Sequence, residues 1–448
     1  MSAWERWFFR LLLSILIGWE VVGTGYMLSQ FPYHAVDFFQ HDFLARFLQR
    51  GGRFTDPSWP MQIGSDLGLR LPPSLERTAP LLLYQPIVLP LFRALALFPM
   101  PIAYAIWLAM SLLLIGWTGW RIARALRTPP LPVLFALGLW PAMWRVLLLG
   151  NVDIMAWALM NLGLVALLEG RPRWGGFWLS WAVALKGFPI FAAVPWLRRG
   201  GRPVAEGLAA GLLLSGLWGT LWVGPEGWIF LFRHLPDYEK AAEMFMPINY
   251  SLLAMLWALV GPPVLDGEGT QFHGLLYPQL IFPPQLLYIP AALLLLLLTG
   301  AWIRQQHCLP PLIECGIWLS LGLFLWPVSW INYHIYLFMP MVALAFRKDQ
   351  LHPLTHRMLG VLIIPFTIAH SYNILAAISG PYMGASLLLS FMRLLLIGLF
   401  LRAALELRAN SRSGAYEDGY GDSLPDAHRA SPPAWKHERW EPEARLRG

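Results

Sequence analysis

Residues 105–117, AIWLAMSLLLIGW, and 291–303, AALLLLLLTGAWI, decide the fold. Each is the centre of a window of about 20 mostly apolar residues, the length a helix needs to cross a hydrocarbon layer ~30 Å thick. A third run, LLLSILIGW at 11–19, lies in an apolar stretch from 8 to 28. That stretch outlasts the roughly 7–15-residue apolar core of a cleaved signal, and no small-x-small cleavage site follows it. It reads as a retained helix.

Composition agrees. Hydrophobic residues make up 57% of the 448 and charged residues 13%, against roughly 45–50% and about 25% in soluble domains. So little charge leaves too little polar surface to cover a water-soluble body. Apolar windows near 8–28, 101–120, 131–148, 154–168, 174–197, 204–223, 285–303, 312–328, 331–346, 358–376 and 384–402, with shorter stretches at 81–98 and 249–261, predict an all-α polytopic membrane protein. The expected bundle has about 10–13 transmembrane helices. Cys308 and Cys315 match neither a metal-ligand spacing nor a disulfide framework.

The net charge of +7 does not point to nucleic acid. The basic residues fall in short clusters between apolar runs, the pattern of membrane topology. They are Arg121/Arg124/Arg127, Arg171/Arg173, Arg198/Arg199/Arg202, Arg304 and Arg347/Lys348/Arg357. One arrangement puts them all in the cytoplasm with both termini. It requires 174–197 to be a hairpin bent near Lys186-Gly187-Phe188-Pro189, and 81–98 and 249–261 not to cross. Two large outside loops follow, about 29–100 and 224–284. The expected domain is 1–402, and the polar segment 403–448 has too little apolar content to offset its ordering entropy. A multi-pass protein of the plasma (inner) membrane is expected.

Several polar residues sit in or beside apolar runs: Glu20, Arg93, Arg145, Asn151, Asp153, Lys186, Asn332, His334 and His370. Ionisable groups at membrane depth cost roughly 2.5–3.5 kcal/mol on insertion scales and face polar interiors. In this topology Arg145, Asn151, Asp153, Lys186, Asn332 and His334 lie near the outer side. They predict one cavity opening outward beside Asp37. Asp37, His41, Asp42 and Arg46 follow helical spacing opposite Phe38, Phe39, Phe43, Leu44, Phe47 and Leu48. That is an amphipathic helix expected to lie flat at the interface, either as a simple surface anchor or with Asp37 facing the cavity. A partly desolvated carboxylate there has a raised pKa and suits base work. Arg145 and Lys186 offer charge for a phosphate, and His334 for a phosphate or a proton. A structural Arg145–Asp153 ion pair is the plain alternative.

Several segments in order resemble the GT-C glycosyltransferases, and within them glycosyltransferase family 87, over roughly residues 5–400. They are DFFQHDFLARFLQRGGRF (37–54), the Tyr-x-Pro segment at Tyr84, GNVDIMAWAL (150–159), the Lys-x-x-Pro at Lys186, NYSLLAML (249–256) and PVSWINYHIYLFMP (327–340). Two departures stand out: Gly150-Asn151 replaces the family's Gly-Gln, and Tyr333-His334 replaces paired histidines. The resemblance implies a GT-C-type bundle and transfer of a hexose, mannose in this group, from a polyprenyl-phosphate-linked sugar to a lipid or glycan acceptor. The reaction would invert the anomeric carbon outside the cytoplasm. It makes Asp37 the general base and His41, Tyr84, Arg145, Asn151, Asp153, Lys186, Asn249, Trp330 and His334 the substrate-binding set. Some such enzymes use a divalent metal ion, which Asp42 and His41 would hold here, although no strict ligand spacing compels one.

A transporter or flippase of an anionic lipid would use the same charges, but no internal repeat is visible and the large first loop has no use in transport. A glycan polymerase or ligase acting on polyprenyl lipids would need no acid at the exit of the first span.

Overall fold

The computed structural model describes residues 35–56, 59–66, 86–234, 251–261, 284–306, 309–326, 331–347, 350–355 and 384–412, with a few single residues and short pairs elsewhere. The spans expected at 8–28 and 358–376, the sites Tyr84, Asn249 and Trp330, and the tail beyond 412 lie outside the described residues.

Two short helices, α1 (Val36–Gln49) and α2 (Trp59–Asp66), precede a 3-10 turn (Pro86–Val88) and α3 (Leu89–Leu95). Then come α4 (Met100–Ala125), α5 (Pro130–Gly138), α6 (Pro141–Leu149), α7 (Asp153–Leu168), α8 (Pro172–Lys186) and α9 (Ile190–His234). After α10 (Leu252–Val260) a two-residue antiparallel ladder pairs β1 (Val264–Leu265) with β2 (Gln271–Phe272). The chain continues through α11 (Pro284–Arg304), α12 (Pro311–Leu325), a 3-10 segment (Ile331–Leu337), α13 (Phe338–Ala345) and α14 (Gly384–Arg412).

The protein is an all-α polytopic membrane protein. Among the described residues four helices, α4, α9, α11 and α14, are long and apolar enough to cross a bilayer, and the bent pair α5–α6 makes a fifth. Their outward residues are apolar and exposed, as lipid contact requires: Leu112, Leu113 and Trp117 on α4, and Leu293, Leu294, Leu297 and Leu298 on α11. Shorter apolar helices, α7 and α12 among them, lie inside that ring; α12 is buried from Leu312 to Leu325.

Proline and glycine explain where expected spans break. The single span expected at 131–148 is an elbow bent by 65° between α5 and α6. Pro141 lacks an N–H and biases Trp140 away from helical geometry, so a new helix starts there. The expected bend at Lys186-Gly187-Phe188-Pro189 is present, with Gly187 at φ +67°. The chain runs along α8, turns, and returns: Arg173 at the start of α8 pairs with Glu206 at 3.0 Å, and Arg202 pairs with the same carboxylate at 2.7 Å. Residues 172–200 therefore begin and end at one level. Past the break at Gly201, α9 lies so close to α8 that a Cβ on Gly207 would stand 2.0 Å from the Arg173 carbonyl oxygen.

Most basic clusters meet at this same end of the bundle. Arg121 pairs with Glu169 (2.8 Å), and the fully buried Glu314 takes Arg198 (2.6 Å) and Arg199 (2.7 Å). Arg408 of α14 bonds Gln306, and Glu406 binds Thr355 and Arg402. α14 thus continues ten residues past Arg402, where the membrane part was expected to end, because Ala403, Ala404 and Leu407 are buried.

Of the two readings of α1, the one with a wet polar side does not hold: Gln40, His41 and Asp42 are buried along with Phe38, Phe43 and Leu44. The polar stripe is covered by α3 and the turn after it. Arg46 donates to Asp42 at 2.7 and 3.2 Å and to the carbonyls of Ala96 (3.2 Å) and Phe98 (2.8 Å), while Gln49 reaches the Arg93 carbonyl at 2.7 Å.

Candidate active site

The site forms at the end of the bundle opposite the basic clusters, where α7 begins and α8 ends. Asp37 lies in the first turn of α1, Asp153 opens α7, and Lys186 closes α8. Each charge suits its helix end: acids sit at partly positive N-termini and the base at a partly negative C-terminus. Three separate helices thus deliver charges to one place.

Gly150 makes the meeting possible. α6 ends with Gly150 in the left-handed region (φ +68°, ψ +30°), and the N–H groups of Gly150 and Asn151 cap Leu147 and Val146. This is the Schellman ending that glycine adopts without steric cost. A Cβ on Gly150 would also stand 2.5 Å from Cβ of Phe38. α1 therefore rests directly on the turn, inside an aromatic cluster in which Phe38 meets Tyr104 (5.2 Å) and Phe92 (5.7 Å). Tyr104 steadies the end of α6 by donating to the Leu148 carbonyl at 2.7 Å.

The turn presents Asn151 to both acids. Its Nδ2 donates to Asp37 Oδ2 at 2.7 Å, and its Oδ1 accepts the Asp153 backbone N–H at 2.8 Å. The Asp153 carboxylate lies 3.2 Å from Lys186 Nζ and accepts from the Tyr336 hydroxyl at 3.1 Å. Lys186 also lies over the Tyr333 ring, 5.4 Å from its centroid. Phe188, two residues on, packs edge-on against Tyr336 (4.6 Å) and against Tyr333 (5.0 Å), which fixes the α8 terminus on the 3-10 segment.

Burial pushes the Asp37 carboxyl up from the usual range to about 6, against the pull of Lys186, the Asn151 hydrogen bond and Arg145; Asp153 adds to the rise. Asp37 is therefore poised near neutrality, where a carboxylate can take a proton and give it back. His41, one turn further along α1, stacks on Phe92 at 4.7 Å. Burial, with Lys186 behind it, lowers its pKa to about 3, so the ring is neutral.

The sequence-predicted residues divide accordingly. Asp37, Asn151, Asp153 and Lys186 form one network, with Arg145 and His41 in its electrostatic reach. Asp153 makes its ion pair with Lys186, in place of the expected Arg145. His334 points elsewhere on the 3-10 segment: its Nε2 accepts from Nε of Arg393 on α14 at 3.3 Å. Arg393, almost fully buried, also reaches Ser329 and donates to the Leu323 carbonyl at 2.8 Å.

Sequence reasoning overlooked Arg393, Tyr336 and Glu314. Arg393 carried the clearest signal, a cation inside the apolar run of α14. Glu314 carried the same signal inside α12, whereas Tyr336 looks like any core aromatic. The residues suggested for a divalent ion do not fit one. Both Asp42 oxygens are taken by Arg46, His41 faces Phe92, and among the described residues no three His, Cys, Asp or Glu side chains gather.

The model of glycosyltransferase family 87 matches residues 82–321, a stretch from before α3 to within α12 that contains Arg145, Asn151, Asp153 and Lys186. No curated protein and no solved structure matches the chain significantly.

Proposed function

Because the chain belongs to glycosyltransferase family 87 and is a membrane-embedded enzyme of the hexosyltransferase class, we propose that it transfers a hexose, mannose in the nearest reading, from a polyprenyl-phosphate-linked donor. The acceptor is a hydroxyl of a lipid or glycan, and Asp37 is the general base. The architecture is of the GT-C type, with N- and C-termini in the cytoplasm of a plasma (inner) membrane. The shared level of the basic clusters supports this orientation, because Lys and Arg are retained on the cytoplasmic side. The site then opens extracytoplasmically.

The observation that carries the reading is the lodging of Asp37 against Asn151 at 2.7 Å, in the network that Asp153 and Lys186 complete, with Lys186 and Arg145 in its electrostatic reach. In the step, the acceptor oxygen forms a bond to the anomeric carbon from the face opposite the phosphate. The bond between that carbon and the phosphate oxygen breaks, and its electron pair leaves with polyprenyl phosphate. The hydroxyl proton passes to Asp37. Loss of that proton makes the oxygen nucleophilic, and fixed cations stabilise the departing charge in a dry site. Lys186 and Arg145 supply them, with His334 as a further phosphate partner and Asp153 holding Lys186 in place.

The test is transfer from labelled polyprenyl-phosphate mannose, glucose and galactose in membranes containing the protein. Asp37→Asn, which keeps the shape and the Asn151 contact region, should lose at least about 10²-fold in kcat while accumulating normally. Full transfer by that variant would end the assignment.

A further inference from the structure

Asn151 stands at the centre of the site, and its contacts define its role more narrowly than substrate binding. The backbone N–H of Asp153 can only donate, so the amide oxygen of Asn151 must face it. The amide NH₂ must then face Asp37, and it does so at 2.7 Å from Oδ2. The orientation is thus fixed by the Asp153 backbone and not by the substrate. A carboxylate oxygen that already receives an N–H carries more of the negative charge and is the poorer proton acceptor. The other oxygen, Oδ1, receives no hydrogen bond from the described residues.

We infer that Asn151 is a positioning residue: it ties down Oδ2 of Asp37 and thereby assigns Oδ1 as the oxygen that takes the acceptor proton. The second half of this statement rests on the function proposed above; the first half does not. The charged groups that act on Asp37 are Lys186 from α8, Asp153 from α7 and Arg145 from α6, while His41 on α1 itself is neutral. Removing Asn151 deletes none of these charges, so a rise in the Asp37 midpoint reports the missing amide.

The experiment is an infrared titration of the purified chain in lipid nanodiscs, with no donor present. The protonated-carboxyl band that Asp37→Asn abolishes is followed against pH. In Asn151→Ala its midpoint should move up by about one pH unit or more, since a hydrogen bond to the charged form has been lost. Asn151→Leu, which keeps the volume, should do the same and serves if the alanine variant fails to accumulate. A midpoint that stays or falls in the variant that folds would overturn the inference. Kinetics with polyprenyl-phosphate mannose give the second readout: kcat falls at pH 7 while KM for the donor changes less than about twofold. A large rise in KM with the acid limb unmoved would instead make Asn151 a substrate ligand. Should Asp37→Asn retain transfer while the infrared midpoint still responds to Asn151, the general-base assignment falls and the tie between Asn151 and Asp37 stands.

Discussion

Lys186 and Asp153 stand 3.2 Å apart, with the carboxylate fully buried and the ammonium mostly so. Neither is a neighbour of the other in sequence; the pair joins the end of α8 to the start of α7. Breaking a buried pair by removing one partner costs about 3–5 kcal/mol, whereas removing both costs less. Asp153→Asn should therefore lower the melting temperature more than the double variant Asp153→Asn/Lys186→Met. Thermal unfolding of the four chains of that cycle in detergent measures the difference; additive losses would show that the pair is not coupled.

Activity should depend on pH through Asp37. With its pKa raised to about 6, kcat/KM should rise as pH passes upward through 6 and level off above it. Stability runs the other way. The folded-state value lies above the ordinary 3.8, so the folded form holds this proton more tightly, and the contribution present below pH 3.8 is lost as pH climbs through 6. Asp37→Asn should consequently melt higher than the parent at pH 7.5, with the gain shrinking towards pH 4. Melting curves at several pH values check the sign.

Gly150 should tolerate no side chain. A left-handed residue with a Cβ costs about 1–2 kcal/mol, and here the Cβ would also run into Phe38 at 2.5 Å. Gly150→Ala is expected to lower the melting temperature and to reduce kcat about tenfold or more, because displacing α1 moves Asp37 from Asn151. Normal turnover in this variant would mean that the turn adapts.

Arg393 and His334 should behave as one unit. The guanidinium donates to Nε2, so that nitrogen is unprotonated and the ring's proton sits on Nδ1. If His334 acts on the donor, Arg393→Met and His334→Ala should each reduce transfer, and the double variant should lose little more than either alone. Transfer rates for the three variants decide it.

Glu314 provides a contrast at the far end. Glu314→Gln would leave Arg198 and Arg199 facing a neutral amide. Stability should fall by several kcal/mol, while kcat and KM of the folded fraction stay near the parent values. A selective loss of kcat would contradict the separation of the two ends.

Much of this was legible in the chain. The apolar windows located α4, α11 and α14, and the glycine and proline after Lys186 located a bend. Polar residues inside apolar runs singled out Asn151, Asp153 and Lys186, because burying such groups is costly enough to demand partners. The environment of α1 was not legible. Its sequence shows a polar stripe, but what covers that stripe is the pair of carbonyls on Ala96 and Phe98 and the ring of Phe92, all distant along the chain. The elbow at Pro141 was readable from the proline, but its 65° angle was not. Lys186, and not Arg145, is the partner of Asp153, at a helix end where Phe188 packs against Tyr333 and Tyr336; these meetings join segments far apart in the chain, and no local pattern encodes them.

The inner helices are shorter than the outer ones, and this has a consequence for how substrates arrive. α7 has 16 residues and α12 has 15, or roughly 24 and 22 Å of rise. The helices facing lipid are longer, 26 residues in α4 and 21 in α11, as a hydrocarbon layer of ~30 Å requires. Asp153 accordingly opens a helix too short to span that layer by itself, and its side chain is fully buried. Under the function proposed above, a lipid-linked donor whose phosphate rests at the ordinary depth of membrane head groups would have to be drawn inward to reach Asp153, and its acceptor would have to follow it there.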